Sequence, residues 1–130
     1  MINPATNTVV AVWPTAPAES PHGLILDPAA GRLFSAGGDS RLVAFDLKMG
    51  KVVSAAIIAP GTDHSALDPK RRRLYCASRG FVSVVQVTAA GGLRPLGGAH
   101  TLALDPATGD VWVSYSDGGG GYLQRFSVSK

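Results

Sequence analysis

The three histidines of this 130-residue chain all open the same short motif. His22 stands in Pro21-His22-Gly23-Leu24-Ile25-Leu26-Asp27-Pro28, His64 in His64-Ser65-Ala66-Leu67-Asp68-Pro69, one residue shorter, and His100 in His100-Thr101-Leu102-Ala103-Leu104-Asp105-Pro106. Neutral imidazole serves as a metal donor, a base or a hydrogen-bonding partner near neutral pH. Three of them converging would suit a metal, a small anion or a polar ligand. A tetrahedral metal site needs its ligands at about 2 Å, which a wide opening ringed by histidines does not readily supply. Binding of a small anion or polar ligand is therefore the better reading, and no metal or other cofactor is assigned. Asp63-His64 has the makings of an oriented base, but neighbours on an extended strand point to opposite sides, so no catalytic residue is assigned.

Other chemistry-bearing residues resolve into structural roles. Asp27, Asp68 and Asp105 each precede a proline, the setting of a tight turn in which Asp accepts a backbone hydrogen bond and Pro presets φ. Gly118-Gly119-Gly120-Gly121 lacks the lysine and the following helix of a phosphate loop and reads as a hairpin tip. Lys70-Arg71-Arg72-Arg73 has no interleaved aromatics, so a solvated surface fits better than a nucleic-acid site. Cys76 shares a strand side with Leu74 and reads as core.

The elements that position these residues repeat with the motif. After Asp27-Pro28 come Arg32-Leu33-Phe34-Ser35-Ala36, Arg41-Leu42-Val43-Ala44-Phe45-Asp46-Leu47 and Lys51-Val52-Val53-Ser54-Ala55-Ala56-Ile57-Ile58, separated by Gly-rich turns. This reads as a four-stranded antiparallel meander of about 40 residues, the unit of a β-propeller blade. The second copy offers Arg73-Leu74-Tyr75-Cys76-Ala77-Ser78, Phe81-Val82-Ser83-Val84-Val85-Gln86-Val87 and a weaker Gly92-Leu93-Arg94-Pro95-Leu96, whose proline suits only an edge strand. The third offers Asp110-Val111-Trp112-Val113-Ser114-Tyr115 and Tyr122-Leu123-Gln124-Arg125-Phe126-Ser127-Val128, with no fourth strand. Phe34, Tyr75 and Trp112 share one slot, expected to pack on the neighbouring blade. Ile2 to Val10 aligns with Phe45 to Val53, so residues 8–13 are expected to complete the third blade. The expected division is into blades at 22–63, 64–99 and 100–130 with 7–15.

In such a meander the start of the inner strand and the turn between the second and third strands lie at one end. His22, His64 and His100 are thus expected to share a face with Asp39, Arg79 and Asp117, ringing the mouth of the channel, and with Asp63 they form the candidate ligand-binding set. The three Asp-Pro turns and the basic run fall on the opposite face.

Composition agrees with this reading and excludes others. The chain has Gly 16 and Pro 9, which suits short strands joined by tight turns, and 45% apolar residues, normal for a chain with a buried core. A net charge of +3 is too mild to argue for an acidic partner, and a single cysteine rules out an internal disulfide. There is no apolar run long enough to span a membrane and no signal-peptide pattern at Met1-Ile2-Asn3-Pro4. The expected location is cytoplasmic, or periplasmic or secreted for part of a longer exported chain.

On Pro21-His22-Gly23, the Asp-Pro turns, Arg73-Leu74-Tyr75-Cys76-Ala77-Ser78 and Asp46-Leu47-Lys48-Met49-Gly50-Lys51-Val52-Val53, the repeats resemble the YVTN-type repeats of the YncE-like β-propeller family. The resemblance implies an all-β propeller, in a family whose members carry about seven blades. Two function classes follow. The first is a non-enzymatic binding or scaffold module for a small ligand or protein partner. The alternative is a metal-dependent lactonase or hydrolase of the six-bladed type. Those enzymes hold calcium with Glu, Asn and Asp around the channel, whereas Glu19, Asn3 and Asn7 here lie outside the inner strands. A three-blade arc leaves two sheet faces open, so a homodimer closing a six-bladed ring is expected.

Overall fold

The computed structural model describes residues 1–88, 93–95, 101–117 and 120–127, and within them all regular structure is β. A short hairpin, β1 (Ile2–Asn3) with β2 (Thr8–Val9), precedes the first blade. That blade is β3 (Pro21–Asp27), β4 (Arg32–Gly37), β5 (Arg41–Asp46) and β6 (Lys51–Ile57), paired in chain order. The second is β7 (His64–Asp68), β8 (Arg73–Ser78), β9 (Phe81–Val87) and β10 (Leu93–Pro95), again an antiparallel meander. The third sheet is β11 (Thr101–Leu104), β12 (Val111–Asp117) and β13 (Gly120–Phe126), three-stranded among the described residues. These are β-propeller blades, with the inner strands β3, β7 and β11 neighbouring one another in that order. Among the described residues, no helix is long and apolar enough to cross a membrane.

The second strands of the first two blades are sandwiched between layers, which explains their near-continuous apolar runs. On β4, Phe34 and Ala36 join Leu74, Cys76, Val85 and Val87 of the second blade, while Leu33, on the other side, packs with Val43, Phe45 and Trp13. On β8, Leu74 and Cys76 face back to the first blade while Tyr75 and Ala77 face forward to Leu102, Val111 and Val113. The period-2 alternation of a strand thus distributes its residues between two seams.

The Asp-Pro turns behave as expected. The Asp27 carboxylate accepts the Ala30 N–H at 3.1 Å, Asp68 accepts those of Lys70 and Arg71 at 2.9 and 3.0 Å, and Asp105 accepts that of Ala107 at 2.8 Å. The basic run is not the solvated surface expected of it. Arg72 reaches across the seam to pair with Asp27, Arg71 pairs with Asp68 at 3.1 Å and donates to the Thr108 carbonyl at 3.2 Å, and Lys70 Nζ donates to the Pro106 carbonyl at 3.4 Å. One turn thereby ties the second blade to both neighbours. Gly109, at φ +78°, leaves the space that Arg71 fills: a Cβ there would stand 2.6 Å from the guanidinium carbon.

The completion of the third blade by residues 8–13 is corrected by the pairing. Thr8–Val9 pairs with Ile2–Asn3 in a local hairpin, closed at its end by a Val10 N–H to Met1 carbonyl bond of 3.0 Å, and not with β13. The aligned segments do correspond, since β5–β6 is the equivalent hairpin, but so short a loop closes at far less entropic cost than a strand spanning three blades. Trp13 then stacks on Phe45 with ring centroids 6.0 Å apart, seating residues 13–18 against the first blade instead of the third.

Candidate ligand-binding cleft

The face bearing the inner-strand starts carries a cleft of about 450 Å³ between the first two blades, lined by Ser20, His22, Gly38, Pro60, Gly61, Thr62, Asp63 and Arg79. Its walls come from four places: the chain entering β3, the β4–β5 turn, the link from β6 to β7, and the β8–β9 turn. Backbone bonds stitch them together, Gly38 N–H to the Ser20 carbonyl at 2.9 Å, Gly61 N–H to the Gly38 carbonyl at 3.0 Å, and Asp63 N–H to the Ala77 carbonyl at 2.9 Å.

The β6–β7 link is pinned to the second blade by buried hydroxyls. Thr62 Oγ1 and Ser78 Oγ lie 2.8 Å apart, Ser78 Oγ donates to the Ala59 carbonyl at 3.1 Å, and the Ala59 N–H donates to Ser83 Oγ at 2.8 Å. Satisfied buried groups of this kind hold a backbone in one arrangement. Gly61, at φ +70°, lets the Arg79 stem lie flat across the link, since a Cβ there would stand 3.1 Å from Arg79 Cγ. Arg79 itself is exposed, so its guanidinium retains five donors for a ligand.

His22 owes its place to a β-bulge. Pro21 pairs with Gly37 and Gly23 with Ala36, which makes His22 the extra residue in β3. Bulges re-aim side chains and are frequent beside functional sites. The imidazole lies against the β4–β5 turn, its Cδ2 3.7 Å from where a Cβ on Gly38 would stand. His64 has no bulge: it pairs regularly with Ala77, is exposed, and does not line the cleft. The first motif is one residue longer than the second between its His and its Asp, a difference that the His100 motif shares with the first.

Of the expected set, His22, Asp63 and Arg79 are thus brought to one cleft. Asp39 is adjacent but turned away, with Oδ2 accepting the Glu19 N–H at 2.9 Å, a role that fixes the chain entering β3. Asp117 ends β12 opposite Gly120. His100, Gly118 and Gly119 lie outside the described residues. Ser20, Pro60, Gly61 and Thr62 are lining residues that sequence reasoning missed, the hint being their position just before the first and second histidine motifs. Among the described residues, no three His, Cys, Asp or Glu side chains are grouped to hold a metal ion. Cys76 is fully buried, and that burial pushes its thiol up to about 11 despite the neighbouring Ser65, consistent with an inert core residue.

Fold and cleft together define a β-propeller segment with a polar cleft at a blade seam. Solved structures agree on the fold. The chain matches a chain of hydrazine synthase from Kuenenia stuttgartiensis with a TM-score of 0.78 at 11% identity, covering 97% of this chain and 38% of that one. It matches a chain of a mitotic checkpoint complex (TM-score 0.65, 15% identity, 83% of this chain and 36% of that one). It also matches the β-propeller domain of Cps50 (Swd1) from Myceliophteria thermophila (TM-score 0.65, 16% identity, 79% and 39%). The chain therefore spans well under half the length of these chains. No protein-family model and no curated protein matches it.

Proposed function

We propose that this chain is a non-enzymatic β-propeller binding module, built from YVTN-type repeats, that holds a small polar ligand bearing an anionic group in the cleft between its first two blades. The bulge that sets His22 beside the cleft carries this reading. It spends a ladder pairing at the point where Arg79 and Asp63 also arrive, and ligand sites are commonly concave with a few convergent polar groups. Arg79 supplies the fixed positive charge, His22 a second donor, and Asp63 an acceptor that favours a ligand also carrying a hydroxyl or amine. The pinned β6–β7 link keeps the cleft preorganised, which lowers the ordering cost of binding.

The test is a two-dimensional amide NMR titration with inorganic phosphate and with citrate. Shifts are expected at Gly38, Gly61, Asp63 and Arg79, with affinity reduced about tenfold or more in Arg79→Ala, the loss of a charged hydrogen bond, and unchanged in His64→Ala. Shifts that are absent with both probes, or an affinity undiminished in Arg79→Ala, overturn the proposal.

A further inference from the structure

The seams inside the chain obey one rule. In each blade the aromatic of the second strand points forward, Phe34 into the second blade and Tyr75 toward the third, where they are 0% and 3% exposed. The receiving surface is also repeated. It consists of Leu67, Leu74 and Cys76 in the second blade and of Leu102, Leu104, Val111 and Val113 in the third. Forward of the third blade, among the described residues, the rule has a donor without a receiver. Trp112, cross-strand from Ala103 and Arg125, is 38% exposed, with the Arg125 guanidinium 5.8 Å from its ring centroid.

Behind the first blade the rule has a receiver without a donor. The positions equivalent to Leu102, Leu104, Val111 and Val113 are Leu24, Leu26, Leu33 and Ser35. Leu102 is 4% exposed in its seam, whereas Leu24 is 67% exposed. Only the outer half of this face is covered by the chain's own Trp13 and Ala18. The inner half opens as a groove of about 440 Å³ whose walls include Trp13, Leu24, Leu33, Ser35 and Phe45.

We infer that the Trp112 face of one copy docks in the Leu24–Leu33 groove of a second copy, continuing between chains the seam that already recurs within each. The occupant is a second copy because donor and receiver faces belong to one polypeptide and match the internal seams position by position. The contact is head-to-tail, and it closes when the per-blade rotation brings the partner's Trp112 to the first copy's groove. Two such copies make a ring of six blades, within the range in which propellers close. His22 borders both this groove and the proposed cleft, whose other lining residues lie at the seam between the first two blades.

The experiment is sedimentation of the full chain with Trp112→Glu and Leu24→Glu, both exposed positions whose far-ultraviolet circular dichroism should stay that of the wild type. The wild type should run at twice the 13.4 kDa of one chain. Each substitution should weaken self-association by about 30-fold or more, as expected for a hot-spot position. Mixing the two variants should restore part of the dimer, because one of the two seams is then free of substitutions. As a readout needing no variant, tryptophan emission should shift to the blue as wild-type concentration rises through association. A monomeric wild type, a dimer indifferent to both substitutions, or open assemblies larger than two copies each overturn the two-copy ring.

Discussion

Phe34 and Trp112 occupy the same slot of two blades, and their surroundings are opposite. Phe34 is sealed among Leu42, Ala44, Leu74, Cys76 and Val85, whereas Trp112 is 38% exposed, with the Arg125 guanidinium over its ring. The polar pairs follow the same division. Arg72 closes on a buried Asp27 across the first seam, while Arg125 meets Asp110 at a loose 3.7 Å on the open blade. A repeated residue is therefore a core residue or an interaction residue depending on whether another blade follows it. Propeller repeats are interchangeable in sequence long before they are interchangeable in energy.

Three measurements can break or sharpen this contrast. The largest effect is expected for Phe34→Ala, which should cost about 3–5 kcal/mol in urea denaturation because it opens a cavity in a closed seam. Trp112→Ala, read at a concentration where the chain is a monomer, should stay within about 1 kcal/mol. Similar losses would mean that Trp112 is already core. Next comes Arg72→Ala, which strands the Asp27 carboxylate and should cost about 1.5–3 kcal/mol, while Arg125→Ala should cost less than about 1 kcal/mol. Adding Asp27→Asn to Arg72→Ala should recover part of the loss; no recovery would argue against the pair.

The smallest and most diffuse effect is the acid limb of stability. Burial pushes the Asp27 carboxyl up, but the Arg72 hydrogen bond, the Ala30 N–H and the Arg72 charge outweigh it and hold it below the ordinary 3.8. Burial of Asp68 is likewise outweighed by the Arg71 N–H, the Arg71 side chain and the Lys70 N–H. Both folded-state values lie below the unfolded one, so this stabilisation is complete above about pH 4 and is lost as pH falls through the depressed values. Chemical denaturation midpoints should be flat with respect to these groups from pH 7 to 5 and fall below 4. A midpoint unchanged down to pH 3 would remove the seam aspartates from the account.

Much of the fold was legible because its signals are local. The recurring Asp-Pro turns, the period-2 runs and the Gly-rich tips specify a meander without reference to anything distant, and Phe34, Tyr75 and Trp112 mark one slot by alignment alone. The first histidine motif is one residue longer than the second, but the third is as long as the first, so length alone did not single out the bulge at His22. The N-terminal residues misled because two pairings satisfy the same sequence. Their resemblance to β5–β6 is real, but a hairpin within nine residues closes at lower entropic cost than a pairing with the third blade.

What the sequence determined by itself was the blade, its strand order, its turns and the end of the meander at which His22 and His64 lie, because strand periodicity and turn chemistry act over a few residues. What only the tertiary structure decided was which repeated residues meet. His22 reaches the cleft and His64 does not, Arg72 crosses to Asp27 in place of facing water, and Trp112 is left partly exposed where Phe34 is sealed. Each of these depends on the stacking of one blade against the next, a relation between residues some forty positions apart that no local pattern encodes.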